Sequence, residues 1–449
     1  MAHCPKDNVF YRNLHWHYPK IVRGEGIYLH DEDGNRYIDA ASGAAVSNIG
    51  HGRREIGEAM ADQSGKIEFA HGSRWATEPT QKLAEKIAAI TPRSVDRIYF
   101  TAIGSESNET AIKLARTYFM ERDGKSMKYR IISRQPSYHG GTIGAMTVSG
   151  NAGLRRNYAP YLGAFTKHIP APYCYRCSCG LTRDSCGVRC AYMLEYAVLQ
   201  EGPDNVAAFL MEPIIGSSIP GACPPPEYFK VIREICDAYD ILLIYDEIMT
   251  GFGRTGKAFG AQHFDATPDI MTFGKGMSAG YVPLGGLAVK DAVYDVVDSG
   301  SGKFVHGHTF GHHALSCAAG CAVQDVYLRE NLFENARTMG EYLGAKLESL
   351  RKYPIIGDVR YFGLMTGLEF VADKETKKPF EPSKQVGEWI TVRGLKNGIV
   401  LYTGGGSVNG KYGDHVMISP PLIITCKQID DFAERLHKTI AEASDHFFG

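Results

Sequence analysis

Two apolar runs without alternation mark the centre of this chain. Residues 206–211 (VAAFLM) and 241–245 (ILLIY) contain almost no polar position that would face solvent. Strands of a parallel sheet have this pattern because helices cover both faces of the sheet. A helical pattern at residues 225–239 separates the two runs, so strand and helix alternate. We therefore predict an α/β fold with a mainly parallel sheet.

The alternation extends along most of the sequence. Further strands are predicted at residues 21–29, 36–39 and 129–133, with a hairpin turn at 31–34, and further helices at residues 53–63, 79–90, 105–121 and 190–200. From about residue 316 a long helical stretch leads through residues 361–370 to 418, which indicates a smaller C-terminal α/β domain. We expect residues 61–315 to form a large domain, with residues 1–60 joining the small domain of residues 316–449.

Length, charge and composition argue against a nucleic-acid-binding protein and against a membrane protein. With 449 residues, of which 44% are hydrophobic, the chain is long enough for two domains. The 49 basic and 50 acidic residues form no basic stripe, which argues against a nucleic-acid partner. No apolar run approaches membrane-spanning length, and residues 1–7 lack the apolar centre of a signal peptide. We expect a cytoplasmic protein that does not insert into membranes.

Lys275 and Asp246 are the most informative residues. Lys275 lies between two glycines after a short apolar run, and Asp246 closes the second buried run. A lysine so placed can present a neutral amine to an aldehyde, and a buried aspartate can hold the proton of a pyridinium ring. Together they indicate pyridoxal 5'-phosphate, which the lysine would hold as a Schiff base.

Three weaker signals fit the same cofactor. Gly104 and Ser105 open an amphipathic helix, whose free amides and dipole suit a phosphate. Tyr138 follows a predicted strand and offers an aromatic face for a flat ring. Thr309 supplies a hydroxyl that can reach the phosphate. Each signal is common by itself, since a helix that begins with Gly-Ser is usually just capped there.

Taken in order, these motifs resemble those of the class III, or ω-, aminotransferases. The resemblance covers about residues 23–422 and rests on GSE at 104–106, SYHG at 137–140, EP at 212–213, DEI at 246–248, GFGRTG at 251–256, TFGKG at 272–276 and HTFG at 308–311. It implies fold type I, with a seven-stranded large domain and a smaller α/β domain, and a homodimer or a dimer of dimers.

The resemblance also implies a role for each motif. Lys275 forms the Schiff base, and Asp246 pairs with the pyridine nitrogen. Tyr138 and Ile248 sandwich the ring, while His139 and Glu212 lie beside the cofactor. The phosphate is bound by Gly104 and Ser105, together with Thr309 from the other subunit.

The glycine-rich motif at residues 251–256 also matches the spacing of a dinucleotide fingerprint. It follows a strand, but residues 257–263 contain no clear helix start that would carry a phosphate. We interpret it as a glycine-rich loop of the active site and do not expect nicotinamide binding.

Five of the eleven cysteines crowd into one short segment: Cys174, Cys177, Cys179, Cys186 and Cys190. Their spacing is compatible with a zinc or iron–sulfur site. The alternative is a set of reduced thiols, because disulfides rarely persist in the cytosol. Pyridoxal phosphate chemistry needs no metal, so our prediction is that none is bound, with these five as the candidate ligands otherwise.

Substrate recognition departs from the family pattern. Many relatives place a carboxylate-binding arginine shortly before the Pro-Pro-Leu motif, where this chain has Tyr402. The remaining cationic candidates are Arg74, Arg155 and Arg156. We hypothesise that one of them holds the distal acid group of an ω-amino donor such as β-alanine, 4-aminobutyrate or taurine. Surface salt bridging is the competing interpretation of these arginines.

The predicted reaction is a ping-pong transamination through the Lys275 Schiff base, with pyruvate or 2-oxoglutarate as amino acceptor. The fold hosts other chemistry, so an aminomutase or a decarboxylase is the first alternative. A non-catalytic scaffold with a metal held by the cysteine cluster is the second. Retention of Lys275 and Asp246 argues against the scaffold.

Overall fold

The computed structural model describes residues 7–124 and 127–449. Residues 1–6, which carry most of the signal-peptide argument, lie outside the described residues. Within those ranges, no helix combines the length and the apolar character needed to cross a bilayer.

The strands, in chain order, are β1 (Ile21–Glu25), β2 (Tyr28–Asp31), β3 (Arg36–Asp39), β4 (Val95–Thr101), β5 (Arg130–Gln135), β6 (Thr166–Pro170), β7 (Val206–Met211), β8 (Leu242–Asp246), β9 (Ile270–Phe273), β10 (Gly285–Lys290), β11 (Ile356–Phe362), β12 (Met365–Phe370), β13 (Ile399–Val400), β14 (Tyr402–Gly404) and β15 (His415–Ile418).

The α-helices are α1 (Ser42–Ala45), α2 (Arg54–Lys66), α3 (Glu78–Ala88), α4 (Gly104–Asp123), α5 (Ile143–Val148), α6 (Ala152–Arg155), α7 (Arg189–Glu201), α8 (Pro226–Ala238), α9 (Asp291–Ser299), α10 (Ala314–Arg329), α11 (Leu332–Glu348), α12 (Val386–Lys396) and α13 (Cys426–Phe448).

A seven-stranded sheet in the order β4-β10-β9-β8-β7-β5-β6 forms the centre of the molecule. The strands from β9 to β6 pair in parallel, and β10 runs antiparallel to both of its neighbours. Every residue of β7 and β8 is buried, which explains their unalternating apolar sequences. The predicted α/β class with a mainly parallel sheet is confirmed.

The carboxyl ends of adjacent strands bring the predicted chemistry together. Asp246 is the last residue of β8, Glu212 follows β7 directly, and Lys275 comes two residues after β9. Helix α4 begins three residues after β4. Because parallel strands end at the same edge of a sheet, these residues converge there.

Two four-stranded sheets lie outside the central sheet, in the orders β1-β2-β3-β13 and β11-β12-β15-β14. Strand β3 pairs in parallel with β13, with Ile38 opposite Ile399, so the N-terminal segment contacts the C-terminal part of the chain. The domain boundaries at residues 60 and 315 stay predictions.

One predicted strand was wrong in its extent. Residues 21–29 form two antiparallel strands, β1 and β2, instead of one. The chain turns at Gly26, whose φ of +57° is readily adopted only without a side chain, and Gly26 exchanges backbone hydrogen bonds with His51. The hairpin between β2 and β3 was predicted correctly.

Candidate active site

Lys275 lies in a tight turn directly after β9. Its backbone has φ of +43°, and Tyr327 fixes the turn by donating a hydrogen bond from its hydroxyl to Gly276 O at 2.7 Å. Burial of the ammonium group lowers the pKa of Lys275 to about 8, although the Asp246 and Glu212 carboxylates act in the opposite direction. A substantial fraction of the amine is therefore neutral near physiological pH.

Asp246 is a buried carboxylate held by three donors. Its Oδ2 accepts hydrogen bonds from Asn108 Nδ2 at 2.9 Å and from His139 Nδ1 at 2.8 Å. Its Oδ1 accepts from the Ile248 N–H at 3.0 Å. The three donors fix the orientation of the carboxylate.

A cavity of about 300 Å³ connects these residues. Its lining includes eight of the predicted site residues: Gly104, Ser105, Tyr138, His139, Glu212, Asp246, Ile248 and Lys275. Tyr138 and Ile248 both present apolar groups to this space, as the predicted sandwich of a flat ring requires. The structure thus brings together the predicted cofactor residues of this chain, except Thr309.

The start of α4 forms part of the cavity wall. A side chain at Gly104 would place its Cβ 2.7 Å from Ile248 Cδ1, so only glycine leaves this space open. Ser105 Oγ accepts a hydrogen bond from the Gly141 N–H at 3.1 Å, which ties α4 to the loop that carries Tyr138. A helix of 20 residues begins here, and its N-terminus suits an anion.

Glu212 supplies a second buried carboxylate. Its Oε1 accepts a hydrogen bond from the Gly216 N–H at 2.9 Å, whereas its Oε2 is buried without a partner. Burial raises the pKa of Glu212, with His139 and Arg134 opposing the shift. Buried polar atoms are normally hydrogen-bonded, so Glu212 Oε2 is available to a donor from a bound molecule.

The residues present fit pyridoxal phosphate. The lysine with its lowered pKa matches the aldehyde of the cofactor, and the fixed carboxylate matches the ring nitrogen. The apolar slot matches the ring faces, and the helix N-terminus matches the phosphate. The unpartnered Glu212 Oε2 and His139 Nε2 add polar groups that a bound polar molecule can satisfy.

The residues predicted to contact substrate or the second subunit do not line the cavity. Thr309, Arg74 and Arg156 are exposed, and Arg155 is partly buried. Tyr402 packs against a small apolar cluster, two members of which, Ile214 and Met249, line the cavity.

Sequence reasoning missed several residues of the site. Asn108 is the most important of them, because it contacts Asp246 directly. The sequence shows that Asn108 lies one helical turn after Gly104, but nothing in the sequence pattern indicates that its side chain contacts Asp246. Ile214, Met249, Ser278, Val282 and Pro283 also line the cavity.

The glycine-rich loop at residues 251–256 is not part of the cavity lining, but Phe252 packs against the Lys275 turn, where a Cβ at Gly276 would lie 3.0 Å from Phe252 Cβ. Its interpretation as an active-site loop stays a prediction. The loop surrounds the fully buried Arg254. The Arg254 guanidinium donates to Leu364 O at 3.0 Å, to Pro420 O at 2.6 Å and to Asn48 Oδ1 at 2.6 Å. The loop therefore joins the large sheet to the C-terminal part of the chain.

The five clustered cysteines are free thiols, and all of them line one small cavity beside Tyr173 and Pro225. Burial raises the pKa of Cys190 to about 11 and also raises the pKa of Cys174. Among residues 7–124 and 127–449, no group of three or more His, Cys, Asp and Glu side chains is arranged to hold a metal ion. The geometry gives the candidate ligands no support.

Comparisons with known proteins agree with this geometry. The family model described as aminotransferase class-III matches residues 11–440. The diaminobutyrate--2-oxoglutarate transaminase of Halomonas elongata is 35% identical over 95% of this chain and 90% of its own length. The putrescine--pyruvate aminotransferase of Pseudomonas aeruginosa is 34% identical over 94% and 91%. The solved structure of an (S)-enantioselective omega-transaminase from Thermomicrobium roseum superposes with a TM-score of 0.90 at 36% identity, covering 98% of this chain and 96% of that one.

Proposed function

This chain belongs to the class III aminotransferases, which use pyridoxal phosphate, and we propose that it transfers the terminal amino group of an ω-amino acid or amine. The proposed donors are of the β-alanine, 4-aminobutyrate or taurine type. The proposed acceptors are pyruvate and 2-oxoglutarate.

The observation that carries the proposal is the shared cavity of Lys275 and Asp246. When bound, pyridoxal phosphate supplies a carbonyl that condenses with amines and a ring that accepts the electrons of a broken C–H bond. Asp246 would pair with the ring nitrogen and keep it protonated, because a fixed buried anion favours a cation beside it. Lys275 Nζ would anchor the cofactor and then accept the donor's Cα proton, since its lowered pKa leaves a fraction of the amine neutral near physiological pH.

The remaining residues orient the reactants. Tyr138 and Ile248 would hold the ring between them, and the amides at Gly104 and Ser105 would bind the phosphate. His139 supports Asp246 through its Nδ1. Donor and acceptor occupy the same small cavity in turn, so ping-pong kinetics are expected.

We extend the proposal to a homodimer. The loop that carries Thr309 exposes Val305 (92%) and Phe310 (57%), and Trp75 is 69% exposed. Large apolar side chains at such exposure are typical of a surface covered by a partner. Thr309 does not reach the cavity of its own chain, which supports its proposed contact with the phosphate of the other subunit.

Subunit mixing tests this arrangement. Lys275→Ala and Thr309→Asp are each expected to lose activity, while a reassorted mixture regains about a quarter of wild-type activity, since half the dimers then have one intact site of two. A mixture as inactive as its components contradicts the shared site. The molar mass by light scattering separates a dimer from a dimer of dimers.

Three arginines remain candidates for the distal acid group of the donor. The ion pairs of the described residues include none of Arg74, Arg155 and Arg156, which weakens the salt-bridge interpretation. Arg155 is the best placed of them, because its Nε is buried without a partner and burial lowers its pKa. An anionic group would satisfy both features.

A donor panel tests the substrate class. β-Alanine, 4-aminobutyrate, taurine and simple amines are combined with pyruvate and 2-oxoglutarate, and product amino acid is measured. Alanine variants at Arg74, Arg155 and Arg156 follow, and at least one is expected to raise the donor KM for acidic donors and leave that for simple amines unchanged. Unchanged KM values in all three discard the arginine hypothesis. Consumption of a single substrate with no transfer to an acceptor favours the mutase or decarboxylase.

A further inference from the structure

Asn108 links Asp246 to α4, the helix whose first residues line the cavity. It lies in the second turn of α4, the helix whose N-terminus forms the phosphate end, and its side chain is completely buried. Its Nδ2 donates to Asp246 Oδ2 at 2.9 Å and to His139 O at 2.6 Å. Its Oδ1 accepts a hydrogen bond from Thr272 Oγ1 at 2.8 Å.

The surroundings determine how the amide is oriented. Asp246 Oδ2 and the His139 carbonyl are both acceptors, so they require the NH₂ side of the amide. The Thr272 hydroxyl can donate to the oxygen side. A flipped amide would face two acceptors with an oxygen and lose both bonds.

We propose that Asn108 is a positioning residue that holds Asp246 in register with the phosphate end of the cavity. The proposal rests on the role of Asp246 in the proposed function. Asn108 and His139 together occupy Oδ2 of Asp246, and the Ile248 N–H fixes Oδ1, so the carboxylate cannot rotate away from the ring nitrogen. Because Asn108 belongs to α4, the same bond sets the separation between the phosphate site and the nitrogen site.

Neither aspartate nor alanine meets these requirements. An aspartate at position 108 would place a second carboxylate against Asp246, so that one of the two binds a proton. That proton would compete with the ring nitrogen for the Asp246 charge. An alanine would remove the donor and leave Asp246 Oδ2 with His139 as its only donor among the described contacts.

The test measures the ring nitrogen itself. Wild type, Asn108→Asp and Asn108→Ala are reconstituted with ¹⁵N-labelled pyridoxal phosphate, and the ¹⁵N chemical shift, the cofactor dissociation constant and kcat are recorded against pH. In Asn108→Asp the nitrogen signal is expected to move toward the unprotonated position, with kcat about tenfold or more below wild type. In Asn108→Ala the cofactor dissociation constant is expected to rise about tenfold.

Two further variants make the result decisive. Asn335→Asp is the matched control, because the Asn335 amide also donates to backbone carbonyls but lies in α11, away from the cavity. Thr272→Val is the milder variant if the Asn108 variants do not fold, and it is expected to shift the ¹⁵N signal in the same direction.

A wild-type ¹⁵N shift and kcat in Asn108→Asp, or in Thr272→Val where Asn108→Asp does not fold, overturn the proposal. Asp246→Asn separates this failure from that of the proposed function. If Asp246→Asn changes the ring nitrogen and the Asn108 variants do not, only the positioning role is wrong. If Asp246→Asn also leaves it unchanged, the role of Asp246 is wrong.

Discussion

His139 and Asp246 form a hydrogen bond beneath the cavity, with His139 Nδ1 2.8 Å from Asp246 Oδ2 and both side chains almost completely buried. We predict that His139→Phe lowers kcat by about tenfold or more, because a buried carboxylate loses a charge-assisted donor. His139→Gln retains a donor and is expected to recover part of the activity. The first half-reaction, followed by stopped-flow absorbance, measures the effect.

His263→Gln is the control for that series. His263 is also partly buried and hydrogen-bonded, with Nε2 3.1 Å from Thr255 Oγ1, but it does not line the cavity. Equal losses in the His139 and His263 variants would show that the bond to Asp246 has no special role.

The pKa of Lys275 predicts how cofactor capture depends on pH. The neutral amine is the nucleophile, so the rate constant for binding of pyridoxal phosphate by apoenzyme should rise with pH and level off above about 8. Because the Asp246 charge raises the pKa of Lys275, Asp246→Asn should move the midpoint to lower pH. The reaction of Nα-acetyl-lysine, measured in parallel, corrects for titration of the cofactor. A midpoint near the ordinary lysine value of 10.5 would refute the account of this amine.

Gly104 leaves room for a ligand between α4 and Ile248. Gly104→Ala would place a methyl group 2.7 Å from Ile248 Cδ1 and push that side chain into the ring site. We predict an increase of about tenfold in the cofactor dissociation constant, as expected for overpacking. Gly57→Ala on α2 is the control, since nothing lies within 4 Å of its added Cβ. Equal affinities in the two variants would argue against a ring site at this position.

Glu369 forms the centre of a buried charge network. Its Oε1 accepts from Arg176 Nε at 2.6 Å, and its Oε2 accepts from Arg360 Nη1 at 3.3 Å and from the Tyr173 hydroxyl. Glu369→Gln leaves Arg176 without a carboxylate and Arg360 with Asp358 alone, and it should lower the free energy of unfolding by about 3–5 kcal/mol. Denaturant unfolding measures it. The exposed partner of Arg337, Glu341, provides the control, and Glu341→Gln should cost less than about 1 kcal/mol.

The sequence predicted those strands and helices whose own residues show the pattern of buried and exposed side chains. Strand β7 was predicted to the residue, because every side chain in it is buried and apolar. Strand β10 was not predicted, because its sequence GGLAVK begins with two glycines and offers only a short apolar run. Its antiparallel pairing with β4 and β9 also depends on residues far away in the chain. The break between β1 and β2 was missed because it is set by the contact of Gly26 with His51.

The candidate site divides in the same way. Lys275, Asp246 and Gly104 were identified because each follows or closes a strand or opens a helix, and the chemistry requires that residue type. Asn108 was missed because it lies within a helix where polar residues are common, and its contacts join segments far apart in the chain. The residue that binds the distal acid group of the donor was not identified from motifs, because the arginine candidates lie outside the cavity of a single chain.

The central claim is that Lys275 forms an imine with pyridoxal phosphate. Holoenzyme is reduced with borohydride, digested and mapped by peptide mass spectrometry. We predict one phosphopyridoxyl group, on the peptide that contains Lys275, and none after an amino donor has first converted the cofactor. A label on another lysine, or no label in enzyme that contains the cofactor, would contradict the account.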